Sequence, residues 1–431
     1  MLALLENASE IDKLNKLFTT HDFTALAIEH GFMKRKPRKI DPQHFLVAMF
    51  LVILQHASSL RKIALMLGSM KRTLISKQAI DKRINEHFVQ FLEHVLASLI
   101  AHKIKAPSAI PSIFKRIIVQ DSSTVRLPDH LAKEFPGSKN HKGKTYAMLK
   151  IQTLYDLRTE QFCHFQLTSF RINDQEAAKT NIDCIKENDL IIRDLGYFGC
   201  DAFTSIILRK AFFISRLRFG IALFDPKSGK RFNLLSILKS YHTIDMPIMI
   251  GLHEKLSVRL IAVPVDPAVA AERRRKLKNN RDRNLNPSKE HLALLGWNIF
   301  ILNAGQSLLP LEEVLALYQL RWRIEIIFKS WKSNFHLTSV PCASVVRVKA
   351  YVFVFLILVT LFHTNLVSYA LCNSRAISVL KLSRLCCEQL VAVLYFYQGS
   401  MASVWQQINY HCAYDKRKDR LNYSQKYALL S

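Results

Sequence analysis

Cysteine is sparse and unpatterned in this chain. The eight cysteines stand at positions 163, 184, 200, 342, 372, 386, 387 and 412, none falls in the first 162 residues, and no CxxC pair occurs. That excludes a disulfide framework and a zinc site built on cysteine pairs, and it reads as reduced thiols in a cytosolic protein. Acidic residues are also scarce. There are 34 Asp and Glu against 61 Lys and Arg in 431 residues, a formal net charge of +27 at pH 7. A generic metabolic enzyme has little use for such a field, whereas a polyanion or an anionic membrane surface does. The first residues, MLALLENASE, lack the basic start and long apolar stretch of a signal peptide. Internal repeats and low-complexity blocks are absent. One stretch, 350–372, imitates a membrane span, being strongly apolar and free of Asp, Glu, Lys and Arg over a bilayer-spanning length. His363, Thr364, Asn365, Ser368 and Tyr369 crowd its second half, no second span accompanies it, and a fully buried helix gives the same pattern. Apolar residues, at 49%, are not lacking. They exclude disorder as the main state and suffice for the cores of two or three domains.

The periodicity of the apolar residues divides the chain. Up to about residue 108 it is helical, over 9–18, 23–30, 42–55, 59–68, 77–85 and 87–104. Asp41-Pro42 reads as an N-cap followed by proline in the first turn. A basic run, Lys34 to Lys39, lies between two of these helices. The stretch 59–84 fits either a helix-turn-helix, turning at Gly68 and offering Lys77, Gln78, Lys82 and Arg83 to a groove, or an ordinary helical hairpin. After a Pro-rich linker at 106–111 the pattern changes to strands. RIIVQD (116–121) and DLIIRD (189–194) are short apolar runs that each end in an acid. Segments 145–157 and 161–170 form a hairpin about Arg158-Thr159-Glu160, and 174–186 is a helix with Asp174 as its N-cap. Residues 211–304 are mostly strand-like, interrupted by a basic loop at 271–284, and helices resume near 310. The order suits an α/β layer with a mixed sheet.

Two acids thus terminate apolar strands, Asp121 and Asp194. Ligands of open α/β sheets gather at the carboxyl ends of strands, and two such acids can share a divalent cation. A third acid lies in the helical stretch 318–332. Taking about 100° per residue from Tyr318, Arg321 falls near 300°, Glu325 near 340° and Lys332 near 320°. Leu320, Ile324, Ile327 and Trp331 fall on another side. Arg321 and Glu325 are an ordinary i,i+4 pair, which leaves the shared stripe with Tyr318 and Lys332 unexplained. Three carboxylates beside a row of cations suit phosphoryl transfer assisted by two Mg²⁺ ions, with Arg and Lys holding phosphate.

These residues carry a resemblance. Asp121, Asp194 and Glu325, with Tyr-x2-Arg-x3-Glu-x6-Lys filled by Tyr318, Arg321, Glu325 and Lys332, resemble the DDE transposases of bacterial insertion sequences. More narrowly, they resemble the cut-and-paste insertion-sequence-four family with its Y-R-E-K signature. DSST after Asp121's strand and DLGYFG at Asp194 match the family's two Asp motifs, and the likeness covers roughly 30–400. It implies a fold of mixed α+β and α/β character. A ribonuclease-H-like catalytic domain (109–210 and 296–340) would be interrupted by a β-rich insertion (211–295), with a helical DNA-binding region at 1–108 and a helical region at 341–431. The insertion would account for the 131 positions between Asp194 and Glu325, against 73 between the two aspartates.

The resemblance further implies that Asp121, Asp194 and Glu325 bind metal and catalyse, with two Mg²⁺ ions per site and Mn²⁺ as a substitute. Tyr318, Arg321 and Lys332 would grip the transposon end. Trp297 is the candidate, by position, for stacking on a flipped base, with a core tryptophan as the alternative. The implied partners are the terminal inverted repeats, target DNA and a second copy of the chain, with no membrane. The place of action would be the bacterial cytoplasm, at the nucleoid. His141, Lys142 and Lys144 would line the DNA path or a solvated loop. Three other readings stand beside this one: a related nuclease or domesticated copy, a non-enzymatic DNA-binding regulator, and an integral membrane protein resting on 350–372 alone.

Overall fold

The computed structural model describes residues 20–35, 39–55, 59–101, 113–141, 143–279, 287–338, 340, 344–367, 377–388 and 408–415. The expected helix at 9–18 and the linker at 106–111 lie outside them. The chain divides into two compact units. One comprises Met1–Pro111, Ser122–Ile172 and Trp322–Ala428, the other Ser112–Asp121, Asn173–Arg321 and Leu429–Ser431.

In the first unit, the apolar spacing expected of helices forms Thr20–Glu29, Pro42–Leu54, Leu60–Lys71, Lys77–Asp81 and Glu86–Ala101. Phe23, Phe32, Phe45, Phe88 and Phe91 are all buried and pack ring on ring. Asp41 caps its helix as read from the sequence, accepting the His44 amide at 2.9 Å, and it also pairs with Lys71 at 3.0 Å. The turn expected at Gly68 comes later. The helix continues to Lys71, and Arg72 closes it in the left-handed region at φ 49°. Gly68 is still required, because a Cβ there would stand 2.7 Å from the Thr73 carbonyl oxygen. The following helix has only five residues, too short for the recognition helix of a helix-turn-helix, so the helical-hairpin reading prevails.

The apolar stretch near 350 forms the helix Val345–Phe362 followed by a π-turn, His363–Val367. Its side chains from Val352 to Thr360 are almost all buried, against the Glu86–Ala101 and Pro42–Leu54 helices among others. A helix hydrophobic all round is thus the interior of this unit.

Strand β1 (Arg116–Arg126) passes from the second unit into the first, followed by β2 (Pro136–Lys139), β3 (Thr145–Asp156) and β4 (Gln161–Ser169). In the first unit β2, β3 and β4 form an antiparallel set, with β3 and β4 joined by the expected turn at 157–160. The second unit holds β5 (Asp189–Arg193), β6 (Phe212–Arg216), β7 (Leu223–Phe224), β8 (Ile244–Ile250), β9 (Leu256–Pro264) and β10 (Trp297–Leu302). There β1, β5 and β6 run parallel, and β10, β9, β8 and β7 continue antiparallel in that order. The sheet is therefore mixed, as expected.

Two expectations change in this unit. The helix near 174 is shorter, Asp174–Thr180, and its cap is Asn173, which accepts the Glu176 amide at 2.8 Å. The basic segment at 271–284 is not a loop through its first half. Pro267–Lys278 is a helix capped by Asp266, whose Arg273 and Arg274 turn inward to the Trp297 and Leu292 carbonyls.

Asp41 supplies a test. Burial works to raise its carboxyl pKa, but the His44 amide and ring and the Lys71 ammonium outweigh burial and hold it below the ordinary range. Its stabilisation is therefore present above the unfolded value of about 3.9 and fades as pH falls through the lower folded value. Thermal melting of Asp41→Ala should show a loss of about 1 kcal/mol at pH 7, and the gap from the wild type should narrow at acid pH. Gly68→Ala should cost about 1–3 kcal/mol in a denaturant titration, because the added methyl meets backbone rather than a flexible side chain.

Candidate active site

The two aspartates are brought together by strand pairing within one unit. β1 and β5 run parallel in register from Arg116↔Asp189 to Gln120↔Arg193. Asp121 and Asp194 are the next residues on each strand, half-buried and side by side, at about the 4.8 Å spacing of neighbouring strands. Asp121 does not end its strand, as the sequence suggested. β1 continues to Arg126, and what ends at Asp121 is the parallel pairing. Two like charges on neighbouring strands repel, so the pair calls for cations.

Both ends of the pairing are fastened by arginine. At the start, Arg116 forks onto the buried Asp189, its Nε donating at 2.8 Å. At the end, Arg193 donates from Nε to Gln120 Oε1 at 2.7 Å and from Nη2 to the Ala178 carbonyl at 3.3 Å. Ala178 lies in the last turn of Asp174–Thr180, whose carbonyl end favours a cation. Arg193 is fully buried, and burial pushes its guanidinium down to about 10, still charged at neutral pH. The sequence reading passed over Gln120 and Arg193. Their signal is that each immediately precedes one of the acids.

Arg321 comes to the acids as well. Its Nη1 stands 3.6 Å from Asp121 Oδ2, with the side chains 10% and 20% exposed. At that depth the attraction is screened far less than at the surface. Tyr318 is buried against Phe300, with the Arg216 guanidinium 5.8 Å from its ring centroid. Burial raises its phenol pKa, opposed by the Arg216 and Arg321 cations, and Asp194 also acts on it. The structure thus groups Asp121, Asp194, Tyr318 and Arg321, and adds Arg216, which the sequence had not singled out.

Glu325 and Lys332 lie in the other unit on the helix Trp322–Ser333, Glu325 in the first turn and Lys332 in the last. Glu325 is half-buried and Lys332 exposed. The helical stretch expected over 318–332 is two helices, Leu311–Leu320 and Trp322–Ser333, abutting at Arg321, which keeps right-handed dihedrals of φ −50° and ψ −34°. The stripe opposite the charged one is apolar and buried as expected: Leu320, Ile324, Ile327 and Trp331 are each 0% exposed. Trp297 opens β10 with its ring half-buried and its carbonyl accepting Arg273. Lys144 is engaged by Asp129 at 2.8 Å, and Lys142 lies outside the described residues.

The donor chemistry at Asp121 and Asp194 is that of a hard divalent cation: carboxylate oxygens, partly open, with no thiol or imidazole among the residues grouped there. Among the described residues no three His, Cys, Asp or Glu side chains cluster closely enough to hold a metal ion. The aspartate pair therefore fits as a partial ligand set, with room for water or substrate oxygens.

Known proteins are similar to this chain. Residues 112–361, more than half of it, match the family described as Transposase DDE domain. The transposase for insertion sequence element IS231E of Bacillus thuringiensis subsp. finitimus is 31% identical over 76% of this chain and 73% of its own length. That for IS231B of subsp. berliner is 30% identical over the same shares. Among solved structures, the piggyBac transposase synaptic complex with hairpin DNA aligns over 98% of this chain and 87% of that one, at 11% identity and a TM-score of 0.46. By this family match and these relatives, the chain belongs to the DDE transposases of bacterial insertion sequences.

Proposed function

We propose that this transposase binds the terminal inverted repeats of its insertion sequence, hydrolyses phosphodiester bonds at the ends, and joins the freed 3′-hydroxyls to target DNA. The observation that carries the reading is the placement of Asp121 and Asp194 at the end of one parallel pairing, with Arg321 against Asp121. Glu325 completes the carboxylate set, by its place in the Y-R-E-K spacing. Two Mg²⁺ ions, or Mn²⁺ in their stead, held by these three acids would supply Lewis-acid polarisation of the phosphate and a more acidic attacking water or 3′-hydroxyl.

The chain's own residues bind and orient. Arg321 presents a planar fork to phosphate oxygens and is held by Asp121 until DNA arrives. Tyr318 offers a hydroxyl that burial keeps protonated, a donor to the backbone at neutral pH. Lys332 adds an exposed point charge. Trp297 stacks on a base extruded at the cut. Two ends must be cut in one assembly, so a homodimer forms on DNA, acting at the nucleoid in the cytoplasm. The +27 charge brings the chain to DNA of any sequence.

Asp121→Asn, Asp194→Asn and Glu325→Gln should each reduce Mg²⁺-dependent cleavage of transposon-end DNA by about 1,000-fold or more, with end binding in a gel shift nearly unchanged. Cleavage that survives any one of them removes that residue from the set. Strand-transfer products separate a transposase from a nuclease of the same fold. Binding to end DNA should weaken by roughly 10³-fold or more between 50 and 200 mM salt, and a flat salt response would contradict phosphate-dominated binding. Trp297→Ala should lower the yield of 2-aminopurine fluorescence from a base placed beside the cut if the ring is a stacking platform; a core tryptophan would instead lower the melting temperature.

A further inference from the structure

The first unit contains a buried ionic cluster that the cleavage chemistry does not use. Glu160 sits in the turn between β3 and β4 and is 0% exposed. Its backbone is in the left-handed region at φ 55°, where glycine is the usual occupant. One carboxylate oxygen, Oε2, accepts from the Tyr155 hydroxyl at 2.7 Å and from Arg323 Nε at 2.8 Å and Nη2 at 2.7 Å. Arg323 is 5% exposed and extends Nη1 to the Tyr414 hydroxyl at 3.3 Å. The Tyr155 oxygen also meets His363 Nδ1 at 3.0 Å. The single hydroxyl proton goes to the carboxylate, so His363 donates from Nδ1. Burial above all, with the Arg323 cation, keeps this imidazole neutral well below its ordinary range. One anion and one cation are thus held among three neutral partners, Tyr155, Tyr414 and His363.

We infer that Glu160 and Arg323 are a positioning anchor, which sets the rotation of the helix Trp322–Ser333 about its axis and so aims Glu325. The inference rests on the reading of Glu325 as a metal-binding acid. Three observations carry it. Arg323 and Glu325 are two residues apart, about 200° around the helix, so gripping one faces the other away from the grip. The grip uses two nitrogens of a planar fork on one oxygen, which restrains rotation as a single contact cannot. A buried ion pair is a poor source of stability compared with apolar packing, and a glutamate in a left-handed turn adds strain. A turn needing only closure is served better by glycine, so the carboxylate is present for what it holds.

The test uses the full-length protein with Glu160→Gly, Arg323→Lys and Glu325→Gln. Each is measured for thermal melting, for end-DNA binding without metal, and for cleavage rate against Mg²⁺ concentration. Glu160→Gly keeps the turn and removes the grip; Arg323→Lys keeps the charge and removes the fork. The expected result for both is end binding within about twofold of wild type, and a half-saturating Mg²⁺ concentration raised by about tenfold, as outer-shell partners of metal sites show. A merely structural role would lower melting and leave the Mg²⁺ dependence alone, and that result overturns the anchor. If Glu160→Gly does not fold, Arg323→Lys decides by the same readout; failure of both to fold also overturns it. Wild-type cleavage by Glu325→Gln would sink the role of Glu325 and the anchor together. An inactive Glu325→Gln beside anchor variants with unchanged Mg²⁺ dependence would sink the anchor alone.

Discussion

The parallel pairing of β1 with β5 is the constraint on which the proposed chemistry depends. Parallel strands bring their carboxyl ends to the same edge, so residues far apart in sequence arrive side by side with their side chains on the same face. Asp121 and Asp194 exploit this, being the first residues past the last paired rung. A slip of one residue would turn one acid to the opposite face of the sheet. The arginines at either end of the pairing oppose such a slip. Arg116 on Asp189 and Arg193 on Gln120 join the same two strands at the first and last rungs, both with side chains that are mostly buried.

The charge distribution follows a similar division of labour. Cations of the interior are tied down locally: Arg193 by Gln120 and a helix carbonyl end, Arg259 by Asp245 at 2.6 Å, Arg323 by Glu160. They set strand register and helix orientation. Exposed cations such as Lys144 and Lys179 pair with acids at the surface, where solvent weakens the hold, and the excess of cations over acids suits a partner with a repeating negative charge. Arg321 stands between these classes, 10% exposed and 3.6 Å from Asp121. A cation so placed lowers the repulsion between the two acids and can be handed to phosphate oxygens without crossing a large distance.

Much of this was legible from residue spacing. The two apolar runs ending in acids are the strands that pair, and the helical periodicity placed every N-terminal helix within the described residues to within a few positions. The buried stripe of Leu320, Ile324, Ile327 and Trp331 came from a 100° wheel. What was not legible depends on partners remote in sequence. Asn173 displaces Asp174 as a cap because capping geometry, not residue type, decides between two good candidates. The helix past Gly68 runs on to Lys71 and closes on Arg72, an exposed residue in the left-handed region that its residue type does not announce. Arg273 and Arg274 resemble a solvated basic run, yet their acceptors are carbonyls of Trp297 and Leu292, some twenty positions away.

The apolar helix at 345–362 and the buried ion pair of Glu160 with Arg323 illustrate one further point of physics. Both are features that composition alone misassigns, the first to a membrane and the second to a solvated hairpin turn. A helix with no polar face needs neighbours on every side, and in this unit the helices Glu86–Ala101 and Pro42–Leu54 are among them. A charge pair in such surroundings must satisfy nearly all its hydrogen-bonding capacity from within the fold. Tyr155 bonds the carboxylate and Tyr414 the guanidinium, while His363 supports Tyr155, and they come from a strand, the segment near 414 and the π-turn that ends the apolar helix. An interior this apolar leaves a buried carboxylate few alternative arrangements, and that is what allows the cluster to hold one orientation of the helix it grips.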